Sequence, residues 1–337
     1  MIREAISQLI VGKSLSMTEA AQVMAEIMEG QVTPAQFGAF VTALRLKGET
    51  VEEIAGMAQT MREKAIRVVI DEPVIDTCGT GGDNSATFNI STAAAFVVAG
   101  AGAKVAKHGN RAMSSKCGSA DVLEALGVKI ELTAEQVQRC LKEIGIGFMF
   151  APSFHPAMKY AAAPRREIGI RTVFNILGPL TNPAGAQMQL LGVADGALVE
   201  KMANVLLFLG CKHALVVHSE DGLDELAITA KTFISEVKNT RIQNYSIIPE
   251  EVGLTRAKLN DIKGGTAAEN AALLRDILSG KTGHAMDAVL LNASAALLAA
   301  ERVESLEDGI KFARGCIATG RALDKLNGLI ELTKSFK

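Results

Sequence analysis

From Val74 onward the chain reads as an apolar strand that runs directly into a glycine loop, Asp76-Thr77-Cys78-Gly79-Thr80-Gly81-Gly82-Asp83. A polar helix start follows at Asn89-Ile90-Ser91-Thr92. A run of small apolar residues continues to Ala101, Lys104 to Lys107 reads as a second strand, and a cationic loop begins His108-Gly109-Asn110-Arg111. Strand, helix and strand in this order predict parallel strands joined by a crossover helix. Ligands of such folds bind beyond the carboxyl ends of the strands, where both loops then lie. Glycines let the backbone approach a ligand closely and point N–H groups at it. A helix start adds unpaired N–H groups and positive dipole density. Lysine and arginine add full charges for phosphate oxygens. All three features recruit one kind of ligand, one with several phosphates.

Common glycine fingerprints fit poorly. A dinucleotide-type Gly-x-Gly-x-x-Gly needs glycine at 84, which is Asn84, and no Gly-Lys-Ser/Thr triplet of a P-loop is present. Gly100-Ala101-Gly102 has no third glycine in register and sits where a helix should end. The segment therefore argues for phosphate without arguing for NAD or ATP.

The 337 residues suffice for one large or two ordinary domains with a substantial core. Hydrophobic content of 48% and charged content of 21% are those of a globular protein. A net charge of −2 argues against a general nucleic-acid or membrane-surface partner. The longest apolar runs, such as Ala93 to Ala103, are too short to span a bilayer. Met1-Ile2-Arg3-Glu4 lacks a signal-peptide layout, and five scattered cysteines without a Cys-x-x-Cys pair fit reduced thiols. The expectation is a cytoplasmic protein.

Residues 1 to about 66 predict four short helices. Ser16 to Glu19, Thr33 to Gln36 and Thr50 to Glu53 have capping-box spacing, Pro34 suits a first helical position, and Gly30 and Gly48 suit stops. Apolar residues recur at helical spacing in Val23, Met24, Ile27 and Met28, and in Phe37, Phe40, Val41 and Leu44. After Pro73 the pattern changes to a larger α/β unit with a mainly parallel central sheet. Its predicted strands are Val74 to Cys78, Lys104 to Lys107 and Ala214 to His218, and its helices Ser91 to Ala101 and Ser119 to Leu126. The division expected is a helical domain of 1–70 and an α/β domain of 71–337. A Pro- and Gly-rich stretch within 163–185 reads as a crossing back to the helical unit. Thr266 to Glu269 opens a helix through Ile277, and residues 285–302 and 306–319 complete a helical layer.

Each candidate group has a bland reading beside its functional one. Ser91 and Thr92 are N-caps on the bland reading, and beside Asn89 and Gly79 both caps and phosphate ligands. Lys104, Lys107, His108, Arg111 and Lys116 are a solvated face, or, interleaved with Gly109, Ser114, Ser115 and Gly118, a loop closing on pyrophosphate. Asp224-Glu225, after the strand ending at His218, is an acidic surface turn or a magnesium site completed by substrate phosphates. Arg165, Arg166 and Arg171 pair with Glu167 at the surface, or supply a guanidinium fork for a carboxylate. His155 is a packed core histidine or part of an aromatic pocket.

Together with Asn175-Ile176-Leu177-Gly178-Pro179-Leu180-Thr181-Asn182-Pro183, these motifs resemble the signatures of the anthranilate phosphoribosyltransferases over nearly the whole chain. The resemblance implies a nucleoside phosphorylase-like fold, a homodimer formed through the helical domain, and a step of tryptophan biosynthesis. In it, phosphoribosyl pyrophosphate and anthranilate give N-(5-phosphoribosyl)anthranilate and pyrophosphate. It implies that Gly79, Gly82, Asp83, Thr87, Asn89, Ile90, Ser91, Thr92, Lys107 and Ser119 hold the phosphoribosyl donor. It places one Mg2+ on Ser91 and a second on Asp224 and Glu225. Asn110 and Arg165 then contact anthranilate beside Gly79, with His155, Tyr160 and Pro179 in the pocket. No residue is implied as a general base; Lys107 acts electrostatically. A pyrimidine nucleoside phosphorylase should carry a Lys-His-Ser glycine loop instead. A nucleic-acid-binding relative should be basic and lack both the Lys107 to Arg111 and the Asp224-Glu225 elements.

Overall fold

The computed structural model describes residues 1–83, 85–112 and 116–336. Asn84, Ser114 and Ser115 thus lie outside the described residues. The N-terminal quarter forms α1 (Ile2–Leu9), α2 (Met17–Met28), α3 (Pro34–Lys47) and α4 (Val51–Glu63). Ser16, Thr33 and Thr50 each close a capping box with Glu19, Gln36 and Glu53, as the spacing predicts. Gly48 ends α3 at φ 87°, a conformation that favours glycine.

A seven-stranded sheet follows, in the order β3-β2-β1-β4-β5-β6-β7. The strands are β1 (Val74–Gly79), β2 (Lys104–Gly109), β3 (Ile146–Phe150), β4 (Met188–Gly192), β5 (His213–Ser219), β6 (Thr232–Lys238) and β7 (Arg241–Ile247). The first five strands run parallel; β6 and β7 are antiparallel. The chain leaves β1 for β2 and β3 on one side, then returns to β4 on the other. The reversal lies between β1 and β4, where Gly79 pairs with Gly192. That is the topological switch point, where open α/β sheets bind ligands.

The buried helix α5 (Ile90–Gly100) packs on one face of the sheet with α13 (His284–Ala299), α14 (Leu306–Ala318) and α15 (Arg321–Ser335). Around them lie α6 (Ser119–Leu126), α7 (Ala134–Glu143) and α12 (Ala267–Leu278). The other face is covered by α11 (Val199–Phe208) and, continuous with it, by the helical unit. Between β3 and β4 the chain forms α8 (Ala151–Phe154), α9 (Lys159–Ile168) and α10 (Phe174–Leu177). Ala161, Val173, Phe174, Ile176 and Leu177 share one apolar core with Phe37, Phe40 and Leu44 of α3. Among the described residues no helix is long and apolar enough to cross a membrane.

Candidate functional site

Two glycines end the central strands because another segment crosses them. A Cβ on Gly79 would collide with the Asp224 carboxylate, and one on Gly192 with the Asp224 carbonyl. Glycine at both positions lets the 224–225 turn lie directly over the carboxyl ends of β1 and β4. Asp224 Oδ2 accepts the N–H of Gly81 at 2.7 Å, and Glu225 Oε1 accepts the N–H of Ser91 at 3.2 Å. The pair is therefore no surface turn, which corrects one reading of the sequence. Both side chains keep only part of their surface open to the cleft. Desolvation, with the charge of Asp83 next, pushes Asp224 up to about 7. Desolvation and then Asp224 push Glu225 well above the usual carboxylate range, against the opposing pull of Lys107.

The N-cap of α5 is Asn89, so Ser91 and Thr92 stand in the first turn and are not caps. The difference is local. Asn89 spends its side chain elsewhere: its Nδ2 donates to Cys117 O at 3.1 Å, and its Oδ1 accepts from buried Asn270 at 3.0 Å. Asn89 thus joins the start of α5 to Cys117 and α12, and Asn270 is a supporting residue the sequence did not single out. Thr92 is buried, and among the described residues its Oγ1 has no hydrogen-bond partner. Ile90 is buried too and offers only backbone. Thr87 bridges to Lys263, and Asp83 accepts from both the N–H and the Oγ of Ser85.

The basic run does not act as one face. Lys104 points to the opposite end of β2, donating to Leu141 O at 3.0 Å. Arg111 is fixed outside by Asp121 and Glu124. Lys107, only 3% exposed, donates to Thr77 O and reaches Ser91 Oγ at 3.4 Å. Burial lowers its pKa, while Asp76 is the largest opposing influence. Asp76 is fully buried and pushed up to about 6 by desolvation; it accepts from Asn182 Nδ2 at 2.7 Å and His108 N at 3.3 Å. Its place in the strand-loop motif gave no sign of this linkage. Ser119 opens α6 behind Gly118 as its N-cap, and its Oγ donates to Asn110 O at 3.4 Å.

His108 and His155 lie 5.1 Å apart between ring centroids. Burial lowers His108 to about 3, aided by its neighbour His155, and burial lowers His155 to about 4. Both rings are neutral at physiological pH, so His108 packs with His155 and is not part of a cationic face. The Gly178 backbone lies beside His108 and that of Thr181 beside His155, which brings Pro179 to the same place. Pro179 O itself is held by Gln189 Nε2 at 2.7 Å. Arg165 stacks on Phe174, 5.3 Å from the ring centroid, and Phe174 packs on Phe37 at 5.3 Å. The helical unit's core thus aims the guanidinium. Arg165 makes no salt bridge among the described residues, and its pKa is lowered by burial. Arg171 diverges from it and binds the glycine loop. Tyr160 is 46% exposed, with its ring against Gly30 at the end of α2.

Asp224, Glu225 and Ser91 Oγ are hard oxygen donors of the kind magnesium takes. Among the described residues no three His, Cys, Asp or Glu side chains form a closed metal cage. The donor set fits an ion that completes its shell with substrate oxygens. Two adjacent desolvated carboxyls whose charged forms repel one another are the observation that fits a dication.

Comparison with known proteins agrees. The family described as "Glycosyl transferase family, helical bundle domain" matches residues 3–65, and "Glycosyl transferase family, a/b domain" matches 71–323. An anthranilate phosphoribosyltransferase from Dehalococcoides mccartyi is 58% identical over 337 residues, 99% of each chain. The crystal structure of the Thermus thermophilus anthranilate phosphoribosyltransferase is 46% identical, with a TM-score of 0.94 over 98% of this chain and 99% of that one. The Saccharomyces cerevisiae enzyme in complex with PRPP and Mg is 27% identical, with a TM-score of 0.92 over 99% of this chain and 98% of that one. The yeast protein has also been solved with 4-fluoroanthranilate. The chain belongs to the anthranilate phosphoribosyltransferase family.

Proposed function

We propose that this chain transfers the phosphoribosyl group of phosphoribosyl pyrophosphate to anthranilate, releasing pyrophosphate, in tryptophan biosynthesis. One observation carries the reading: a glycine loop, a helix N-terminus, a buried lysine and a carboxylate pair meet at the sheet's switch point. Gly79, Gly82, Asp83, Thr87, Asn89, Ile90, Ser91, Thr92, Lys107 and Ser119 line the donor side. Asn110, Arg165, His155 and Pro179, beside Gly79, line the acceptor side.

Departure of pyrophosphate from a sugar carbon develops positive charge on the ring and negative charge on the leaving group. The N–H groups of the glycine loop and Lys107 face the latter with fixed positive charge that needs no reorganisation. Magnesium bound at Ser91 and at Asp224-Glu225 would neutralise the diphosphate, and we read two such ions. Arg165 anchors the anthranilate carboxylate and thereby aims the amine at the anomeric carbon. An aryl amine is nucleophilic when neutral. The histidines that pack together beside Pro179, His108 and His155, are held neutral by burial, so no strong base is required or supplied there.

Residues 1–70, with part of 163–185, form the acceptor-side unit on this reading, supported by the shared core of Phe37 and Phe174. The same unit exposes Ile10, Val11 and Leu46, which supports a homodimer formed through it. Five free cysteines support a reducing, cytoplasmic setting. The test is pyrophosphate release: it should require anthranilate, donor and Mg2+ together. Release without anthranilate would make this a hydrolase and not a transferase.

A further inference from the structure

We propose that Arg171 is a positioning residue for the leaving group: it holds the glycine loop so that the N–H groups of Gly82 and Asp83 face the donor's diphosphate. The inference rests on the reaction proposed above. Arg171 Nη1 donates to Gly82 O at 2.8 Å, and Nη2 donates to Gly81 O at 3.0 Å. One planar fork therefore grips two successive carbonyls. Cis peptide bonds are absent among the described residues, so in each peptide plane the C=O and the next N–H point opposite ways. Holding the carbonyls of Gly81 and Gly82 toward Arg171 turns the N–H groups of Gly82 and Asp83 away from it. Among the described residues no acceptor meets either N–H.

The backbone makes this arrangement specific. Gly81 and Gly82 both have positive φ, 67° and 75°, a backbone region that favours glycine, and in it two successive carbonyls reach one guanidinium. A Cβ on Gly82 would collide with the Arg171 guanidinium, so glycine there admits the arginine. On the amide side of Gly81, Asp224 Oδ2 holds the N–H at 2.7 Å. The loop is thus pinned from two flanks. A guanidinium on the carbonyls also polarises the peptide groups and strengthens the N–H groups as donors.

The anchor of Arg171 is firm although its side chain is exposed. The next residues, Thr172, Val173 and Phe174, are buried on the helical side, and Thr172 N donates to Asn175 Oδ1 at 2.9 Å. Arg171 therefore ties the segment that carries the acceptor-side Phe174 to the loop that receives the donor. No carboxylate pairs with it among the described residues, so its charge is spent on backbone carbonyls.

A cavity of about 520 Å³, lined in part by Gly82, Arg171, Thr172, Asn175, Ala194 and His218, opens beside the guanidinium and gives a small cation access. The test is a steady-state matrix in both substrates for wild type, Arg171→Ala and Arg171→Lys. The expected result for Arg171→Ala is a KM for the donor raised by about tenfold or more. The inhibition constant of pyrophosphate should rise in parallel, with the KM for anthranilate nearly constant. Guanidinium chloride at low concentration should restore donor affinity saturably, and sodium chloride at the same ionic strength should not. Arg171→Lys should recover little, since a point charge cannot grip two carbonyls. If Arg171→Ala does not fold, Arg171→Gln takes its place, with an intermediate donor KM expected. An unchanged donor KM, an equal rise for both substrates, or no rescue by guanidinium would overturn the proposal. Wild type without turnover would overturn the proposed reaction instead.

Discussion

Glu225 sets its carboxylate 3.2 Å from the backbone N–H of Ser91, on the first turn of α5. A carboxylate at a helix N-terminus is favourably placed, yet Asp224 beside it has the same sign and desolvation weighs on both. Replacing both carboxylates by their neutral amides should remove that repulsion. The double variant, Asp224→Asn with Glu225→Gln, should unfold no earlier than wild type. It should need at least about tenfold more Mg2+ for half-maximal rate, with a lower kcat. A magnesium titration and a thermal melt check both halves; unchanged magnesium dependence would remove the pair from the site.

Arg165 and Ser119 should separate the substrates. Arg165→Ala loses a charge-assisted contact of roughly 1.5–3 kcal/mol and should weaken anthranilate by one to two orders of magnitude. The donor should be nearly unaffected, and Arg165→Lys should rescue only in part. Ser119→Ala should weaken the donor and spare anthranilate. Steady-state kinetics in both substrates read the outcome; a donor-selective defect in Arg165→Ala would move the acceptor pocket elsewhere.

The buried Asp76 predicts a pH dependence of stability. Its folded pKa, about 6, lies above the ordinary carboxylate value of 3.8, so the native state binds the proton more tightly than the unfolded chain. Its contribution is therefore most favourable below pH 4 and is lost as pH rises toward 6. The stability difference between wild type and Asp76→Asn should shift in the variant's favour over that window, by up to about 3 kcal/mol. Chemical denaturation at several pH values measures it, and a difference that does not vary with pH would contradict the burial argument.

His108 and His155 act in the opposite sense. Their folded values, about 3 and 4, lie below the ordinary 6.5, so their contribution is complete above 6.5 and lost as pH falls. Neither ring should titrate between pH 5 and 8. Imidazole NMR shifts that move across that range would show a solvated pocket.

Much of this was legible in the chain, for identifiable reasons. The capping boxes at Ser16, Thr33 and Thr50 are local chemistry, and local chemistry is visible in sequence. The loops after β1 and β2 were visible because glycines and charges there have few other uses. What stayed hidden depends on distant partners. Ser91 and Thr92 looked like the caps of α5, yet Asn89 holds that place and Asn270, far along the chain, engages its side chain. Arg171 looked like a companion of Arg165, yet the Gly169 turn sends it to the glycine loop. The strands β3, β4, β6 and β7 carry short, ambiguous patterns, and their place is set by neighbours in the sheet.

Assembly follows from the surface of the helical unit. Ile10 is 68% exposed, Val11 67% and Leu46 83%. Light scattering should give twice the 35.5 kDa chain mass at micromolar concentration, and Leu46→Asp should shift it toward one chain. A single-chain mass for wild type across that range would contradict the dimer.

The most direct measurement is the loss of anthranilate fluorescence on adding phosphoribosyl pyrophosphate to folded protein with Mg2+. The account predicts continuous loss that stops when either substrate is exhausted and yields one phosphoribosylated anthranilate per pyrophosphate released. Folded, magnesium-supplied protein that leaves the fluorescence constant would contradict it.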